Sequence, residues 1–317
     1  MLGPRAGVPD NPPPPRRGLA SLHRIGRDAA SEIEIGAILC PCDFSVASAE
    51  ALRLAVLLAR THGAEIVALH VIPVNLPASG RFRSFPNPAL LRPHLRDDLF
   101  CSLAGVLQPA RAAAVVNRSE LREGRPADEI LKVAEALPAG LIVMGTHDRG
   151  AVHRAVLGSV AETVLRKAPC PVLTVPPAFQ APAGEGWPRT VLWATDFSPD
   201  AGLGLRYALS VAEKARAELI VVHVLEGEGQ RVADTPRLEE RLREAVARAG
   251  GAHLGAQAVV AAGSAAREIL GLARARTAEL VVMGASGTGA LERLMFGSTV
   301  IAVVREAACP VLVVRQP

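Results

Sequence analysis

The chain repeats itself once, and the repeat limits what it can fold into. ILCPCDFS (Ile38 to Ser45) returns as VLWATDFS (Val191 to Ser198), and LHVI (Leu69 to Ile72) returns as VHVL (Val222 to Leu225), both displaced by 153 residues. Further along the displacement is 139. EIL at Glu129 returns at Glu268, LIVMG (Leu141 to Gly145) as LVVMG (Leu280 to Gly284), LGSV at Leu157 as FGST at Phe296, and PCPVL (Pro169 to Leu173) as ACPVL (Ala308 to Leu312). The first copy therefore carries 14 extra residues between Ile72 and Glu129, where the Pro- and Arg-rich PVNLPASGRFRSFPNP lies. A chain of 317 residues so divided gives two units of ordinary domain size. The expected boundaries are a tail at 1–32, a first unit at 33–176, a linker at 177–188 rich in Pro, Gly and Ala, and a second unit at 189–317.

Each unit alternates strand and helix signals. Short aliphatic runs mark buried strands at Gly36–Cys40, Glu65–Ile72, Ala113–Val116, Leu141–Gly145 and Val172–Val175 in the first copy. The second copy gives Thr190–Ala194, Leu219–Leu225, Gln257–Ala261, Leu280–Gly284 and Val311–Val314. Ser198 before Pro199 is a helix start, with the hydroxyl as cap and proline in the first turn. Another helix opens at Thr235–Pro236, carries Leu238, Leu242 and Val246 along one stripe, and ends at Gly250 and Gly251. Five strands alternating with helices require parallel crossovers. The expected fold is α/β: two tandem, doubly wound, five-stranded parallel sheets, Rossmann-like, in strand order 3-2-1-4-5.

Composition excludes several functions. Aromatics are 3% of residues against 50% hydrophobic, so the cores are aliphatic. No uncharged apolar run reaches the ~18 residues of a membrane-spanning helix. Five cysteines in a chain this long do not make a disulfide scaffold. The net charge is +4, and the first 30 residues hold five arginines against two aspartates, so the rest is nearly neutral. That balance argues against a nucleic-acid surface. The start has no apolar segment of the secretory kind, and Pro12 to Pro15 forbid helix, so a disordered tail and a cytoplasmic protein are expected.

The chemistry concentrates in glycines. Gly284-Ala-Ser-Gly287 closes a strand, and nine residues later Gly297-Ser298 opens a helix. Glycines let main-chain amides approach an anion without a Cβ in the way, and a helix N-terminus adds free N–H groups and a positive dipole end. Ser298 and Thr299 add hydroxyl donors. Ala290-Leu291 stands where a Walker loop has Lys-Ser/Thr, so efficient γ-phosphate hydrolysis is not expected. Asp196 follows the first strand of the second copy. In order 3-2-1-4-5 it faces the same crevice as the Gly284 loop, where a carboxylate would bind ribose hydroxyls or an adenine amine.

Taken together, DFS after the first strand, HV in the second, V-M-G-x-x-G-x9-G-[ST] after the fourth and CPVLVV at the end resemble the universal stress protein family, twice over. The resemblance implies an ATP-binding α/β domain that pairs through its last strand. Val172–Val175 and Val311–Val314 would then join the halves in an internal pseudo-dimer, with room for a homodimer besides. It implies that Asp196 and the main chain at Val224 contact adenosine, and that Gly284, Gly287, Gly297 and Ser298 hold phosphates. Ala194, Thr195, Met283 and Thr299 complete the set. The implied ligand is ATP, with or without Mg2+. The partners expected are an adenine nucleotide and the other half of the chain, with no nucleic acid and no membrane.

The first copy departs from this pattern. Its counterpart positions are Pro41, Asp43, Val71, Gly145, Asp148, Gly158 and Ser159, and Asp148 stands where the second copy has Gly287. A carboxylate facing phosphate costs about 1 kcal/mol at a few ångströms in water and about 4 at intermediate dielectric. Weaker ATP binding, or none, is expected there. His70 and His223 match each other and are expected to be structural. Cys40-Pro-Cys42 has the wrong gap for redox work, and Cys170 and Cys309 read as small buried hydrophobes. No nucleophile with base and orienter is apparent. The function expected is nucleotide-dependent regulation in a stress response, without efficient catalysis. The alternatives are a slow ATPase or adenylate-forming enzyme, and a nucleotide-independent scaffold.

Overall fold

A computed structural model describes residues 33, 35–73, 88–137, 139–146, 157–182, 184, 186–226, 234–286 and 297–316, the side chains of 88–95 excepted. In chain order the first half holds β1 (Ala37–Pro41), α1 (Val46–His62), β2 (Glu65–Pro73), α2 (Pro88–Val106), α3 (Gln108–Ala112), β3 (Asn117–Gly124), α4 (Pro126–Ala136), β4 (Leu141–Gly145), α5 (Ser159–Lys167) and β5 (Val172–Val175). The second holds β6 (Thr190–Ala194), α6 (Pro199–Ala215), β7 (Glu218–Leu225), α7 (Thr235–Arg248), β8 (Gln257–Ala262), α8 (Ala265–Ala275), β9 (Leu280–Gly284), α9 (Ser298–Glu306) and β10 (Val311–Val314).

The strands form one sheet of ten, in the order β3-β2-β1-β4-β5-β10-β9-β6-β7-β8. Each half is parallel in the order 3-2-1-4-5, and the halves meet where β5 and β10 pair antiparallel. There Val311 lies opposite Thr174, Leu312 opposite Leu173 and Val313 opposite Val172. Thr174 is fully buried, and its hydroxyl donates to the Val311 carbonyl at 3.1 Å. The internal pair that the family resemblance implied is therefore a single continuous sheet.

Strand alternation divides the core into two layers. Ile38 and Cys40 face a layer with Leu52 and Leu54 of α1, Leu103 of α2, Leu205 and Leu209 of α6, and Leu242 of α7. Leu39 faces the other, with Ile130 of α4, Val164 of α5, Ile269 of α8 and Val303 of α9. Both layers cross the seam, through Leu173 and Leu312 on one side and Val172, Val311 and Val313 on the other. Each such side chain contributes ~1.5–3 kcal/mol by burial, so the seam belongs to the core.

The helix ends follow from local chemistry. Ser198 caps α6 by accepting from Ala201 N at 3.2 Å, and Ser45 caps α1 by accepting from Ser48 N at 3.1 Å. Helix α1 stops at Gly63 (φ 66°), and α7 gives way to Gly250 (φ 92°), both left-handed positions that glycine takes without strain.

One strand expectation fails. Ala113–Val116 is no strand; it is the turn that closes α3, with Ala114 at φ 54° and Val115 N donating to Ala110 O. The third strand is Asn117–Gly124, and it forms the sheet edge. This edge strand carries Arg118, Glu120, Arg122 and Glu123 and so shows no aliphatic run, whereas the opposite edge strand, Gln257–Ala262, keeps one.

Candidate functional site

At the switch point of the second half, β6 and β9 lie side by side and their C-terminal ends open a cleft of ≈ 420 Å³. Ala194, Thr195, Asp196, Val224, Met283, Gly284, Gly297, Ser298 and Thr299 all line it. Gly287 lies outside the described residues. We call this the C-terminal cleft.

The Asp196 carboxylate is set by the turn that carries it. Its Oδ1 accepts from Ser198 N at 2.9 Å, while Thr195 Oγ1 accepts from Phe197 N at 2.9 Å. These local bonds hold Phe197 at φ 62°, a left-handed position uncommon for an aromatic residue. The His223 ring lies 4.7 Å from the Phe197 ring and donates from Nδ1 to the Thr195 carbonyl at 2.8 Å. A carbonyl can only accept, so this bond fixes the tautomer and makes His223 a brace of the turn.

Opposite this turn stands the start of α9. Gly297 is its N-cap and offers no side-chain bond, so the first-turn amides, beginning with Ser298 and Thr299, have no partner within the helix. Their dipole end is worth roughly half a positive charge. Gly297 N donates to Ala285 O at 3.1 Å, which ties this end to the loop leaving β9. Among the described lining residues there is no Lys, Arg or His; the charged groups are the carboxylates of Asp196 and Glu226. Glu226 Oε1 accepts from Ala265 N at 2.6 Å, at the start of α8. An anion here would be held by main-chain amides and hydroxyls.

The two glycines have different physical reasons. A Cβ on Gly284 would stand 2.6 Å from Ala201 N and 2.9 Å from Asp200 Cβ, so its smallness lets α6 pack against β9. This revises the reading of Gly284 as glycine for a phosphate's sake. Among the described residues a Cβ on Gly297 would meet nothing nearer than Ala285 O and Val300 Cγ2, both at 3.7 Å, at φ −62°. Neither the described packing around Gly297 nor its backbone calls for glycine.

The first half has its own cleft of ≈ 380 Å³, lined by Pro41, Asp43, Val71, Gly145, Gly158 and Ser159, the N-terminal cleft. Asp148 and His147 lie outside the described residues. The turn is duplicated: Asp43 Oδ1 accepts from Ser45 N at 2.9 Å, Phe44 has φ 64°, and His70 Nδ1 donates to Cys42 O at 2.6 Å. The walls are not duplicated. Cys42 replaces Thr195, Pro73 replaces Glu226, Val160 replaces Thr299, and Leu99 of α2 leans in. Burial, and then the nearby Asp43 carboxylate, push the Cys42 thiol up to about 12, so it is a neutral wall. Burial likewise raises Cys40.

Asp200 and Glu226 were not anticipated. Asp200 sits in the first turn of α6, where an acidic residue signals only a helix start. Its counterpart in the first copy is Ala47, and that mismatch between copies is the signal that could have found it. Among the described residues no group of three or more His, Cys, Asp or Glu is placed to hold a metal, and no helix is long and apolar enough to cross a membrane.

Comparison with protein families matches the universal stress protein family over residues 34–176 and again over 188–315. A universal stress protein of Methanocaldococcus jannaschii is 38% identical over 161 residues, which cover 50% of this chain and 88% of that protein. One from Mycobacterium tuberculosis is 30% identical over 210 residues, covering 63% of this chain and 69% of that one. Among solved structures, a universal stress protein from Archaeoglobus fulgidus superposes with a TM-score of 0.68 at 25% identity, over 89% of this chain and 98% of that chain.

Proposed function

Because the chain belongs to the universal stress protein family, in tandem form, we propose that it is a regulatory protein that binds ATP in its C-terminal cleft and does not turn it over efficiently. The observation that carries this is convergence. The Asp196 carboxylate, the uncapped first turn of α9 and the hydroxyls of Ser298 and Thr299 all border one cleft of ≈ 420 Å³ at the sheet's switch point. In this reading the ribose lies against Asp196, the base between Val224 and Met283, and the phosphates at Gly297 to Thr299. The glycine at 297 supports it, because no described residue comes nearer than 3.7 Å to where a side chain would stand. The room fits an anion that comes close to the main chain.

Weak turnover follows from the same walls. Phosphoryl transfer needs cations positioned on the leaving charge, and the described lining residues supply none. Mg2+ in this reading arrives with the nucleotide and stays on its phosphates. Regulation then works through the ligand's bias on the conformation or assembly of the paired halves. The compartment this reading fits is the cytoplasm.

Gly297→Ala provides the test, because the added methyl meets its described neighbours, Ala285 O and Val300 Cγ2, only at ordinary contact distance, 3.7 Å. Calorimetric titration should give ATP binding to the wild type and an affinity about ten-fold lower in the variant, with the unfolding midpoint unchanged. Wild-type protein that retains no nucleotide through purification and is not stabilised by saturating ATP would refute the reading in favour of a scaffold. ADP or AMP release lost on Asp196→Ala would replace it with an enzyme.

A further inference from the structure

Asp200 is 7% exposed and has no ion pair among the described residues. Three donors that are not cations satisfy it. Ser286 Oγ donates to Oδ2 at 2.5 Å, Ser286 N to the same oxygen at 3.2 Å, and Gln316 N to Oδ1 at 2.9 Å. Ser198 adds a fourth bond across the same gap, its hydroxyl donating to Ser286 O at 3.2 Å. Ser286 is thus gripped at its amide, its carbonyl and its side chain by the first turn of α6.

The position of that grip gives it meaning. Ser286 lines the C-terminal cleft. The residue before it, Ala285, accepts from Gly297 N, the cap of α9. The path from Asp200 to the unpartnered amides of α9 is therefore two residues and two hydrogen bonds long. Gly284 lets the path be this short, since any Cβ there would collide with Asp200. The first copy has Ala47 at the matching place, with the Ala47 methyl 2.9 Å from where a Gly145 Cβ would stand. An alanine side chain offers no acceptor, so position 47 cannot make the bonds that Asp200 makes.

We propose that Asp200 is a positioning residue for phosphate recognition: it fixes Ser286 and, through the Ala285–Gly297 bond, sets the first turn of α9 where a nucleotide's phosphates meet it. This rests on the ATP reading of the C-terminal cleft and adds the device that distinguishes it from the N-terminal one. A merely structural acid at the start of α6 would act differently. Its loss would weaken the fold and lower the affinity for every ligand of the cleft alike. A positioning acid acts on the phosphate end alone, because the adenosine end is built by the turn at Asp196 and by β7.

The experiment is calorimetric titration of the full chain with ATP and, separately, with adenosine. Asp200→Ala should lower ATP affinity about ten-fold or more and leave adenosine within about two-fold. Asp200→Asn keeps an acceptor for Ser286 and should restore ATP affinity to within about three-fold of wild type. Should Asp200→Ala fail to fold, Ser286→Ala carries the test. It removes one of the Ser286 donors, keeps the amide, and should show the same split between ligands at smaller size. Equal losses for ATP and adenosine, or an unchanged ATP affinity, overturn the proposal while the ATP reading stands. A wild-type chain that binds neither ligand overturns both.

Discussion

The N-terminal and C-terminal clefts start from the same turn and end with different walls. In both, an aspartate accepts the amide two residues on, a left-handed phenylalanine follows, and a histidine braces the carbonyl of the residue before the aspartate. These features shape main chain and are kept in both copies. What differs is what a ligand would touch, Thr195 against Cys42, Glu226 against Pro73 and Thr299 against Val160, and, behind the wall, the acid at 200 against Ala47. The frame and the site are thus separable, and a duplicated fold does not imply a duplicated ligand.

The largest effect is expected where the halves cease to be separable. Leu312 is 5% exposed at the seam, opposite Leu173. Leu312→Asp buries a carboxylate without a partner, at a cost of several kcal/mol or loss of folding. Since both core layers cross the seam, scanning calorimetry should show one transition in the wild type, and the variant should lose both halves together. Two transitions, with one left in place by Leu312→Asp, would break the picture of a joint core.

Next come the glycines. Gly284→Ala forces a methyl within 2.6 Å of Ala201 N and should cost about 1–3 kcal/mol in urea unfolding. Gly145→Ala meets the Ala47 methyl at 2.9 Å and should cost a similar amount. Gly297→Ala should cost less than about 0.5 kcal/mol. A stability loss at Gly297 as large as at Gly284 would mean that both glycines serve packing alone.

The phosphate end can also be exchanged between copies. Gly287→Asp should weaken ATP binding to the C-terminal cleft about ten-fold, and Asp148→Gly should strengthen binding to the other, since like charges a few ångströms apart cost about 1–4 kcal/mol. The readout is stoichiometry and affinity by titration. Unchanged values in Gly287→Asp would remove charge as the basis of the asymmetry.

Much of this architecture could be read from the chain before any coordinates. Matching strand runs, displaced by 153 residues and then by 139, point to two halves of one strand order, and the family resemblance supplied how they join, through Val172–Val175 and Val311–Val314. Buried strands announce themselves because both faces need aliphatic side chains. The edge strand Asn117–Gly124 does not, because none of its side chains is buried and four of them, Arg118, Glu120, Arg122 and Glu123, are charged, while the opposite edge strand, Gln257–Ala262, stays aliphatic. Position along the chain also brought the Asp196 and Ser298 groups to one crevice, since strand order alone dictates it. Asp200 stayed hidden because a first-turn acid has an ordinary helical explanation. Its role depends on a contact 86 residues away that the alternation of strands and helices cannot register. The reason for Gly284 was hidden likewise: the need is the closeness of α6, a distance and not a pattern.

The smallest effect sharpens the comparison at its most conservative difference, Cys42 against Thr195. An ordinary thiol titrates near 9, and burial pushes that of Cys42 to about 12. The group therefore holds its proton in the folded chain between those values while the unfolded chain releases it. Its contribution is fully present below pH 9 and is lost as pH rises toward 12. Cys170, pushed by burial to about 12, and Cys309, pushed to about 11, act in the same direction. Cys42→Thr removes one of these groups and copies the C-terminal cleft, where Thr195 Oγ1 accepts from Phe197 N. Urea unfolding at pH 7 should change by less than about 1 kcal/mol. At pH 10 the variant should retain about 1 kcal/mol more of its neutral stability than the wild type, one unit of titration being worth ~1.36 kcal/mol. If the alkaline loss is the same in both proteins, Cys42 is not titrating in this range, and titration does not separate the two positions.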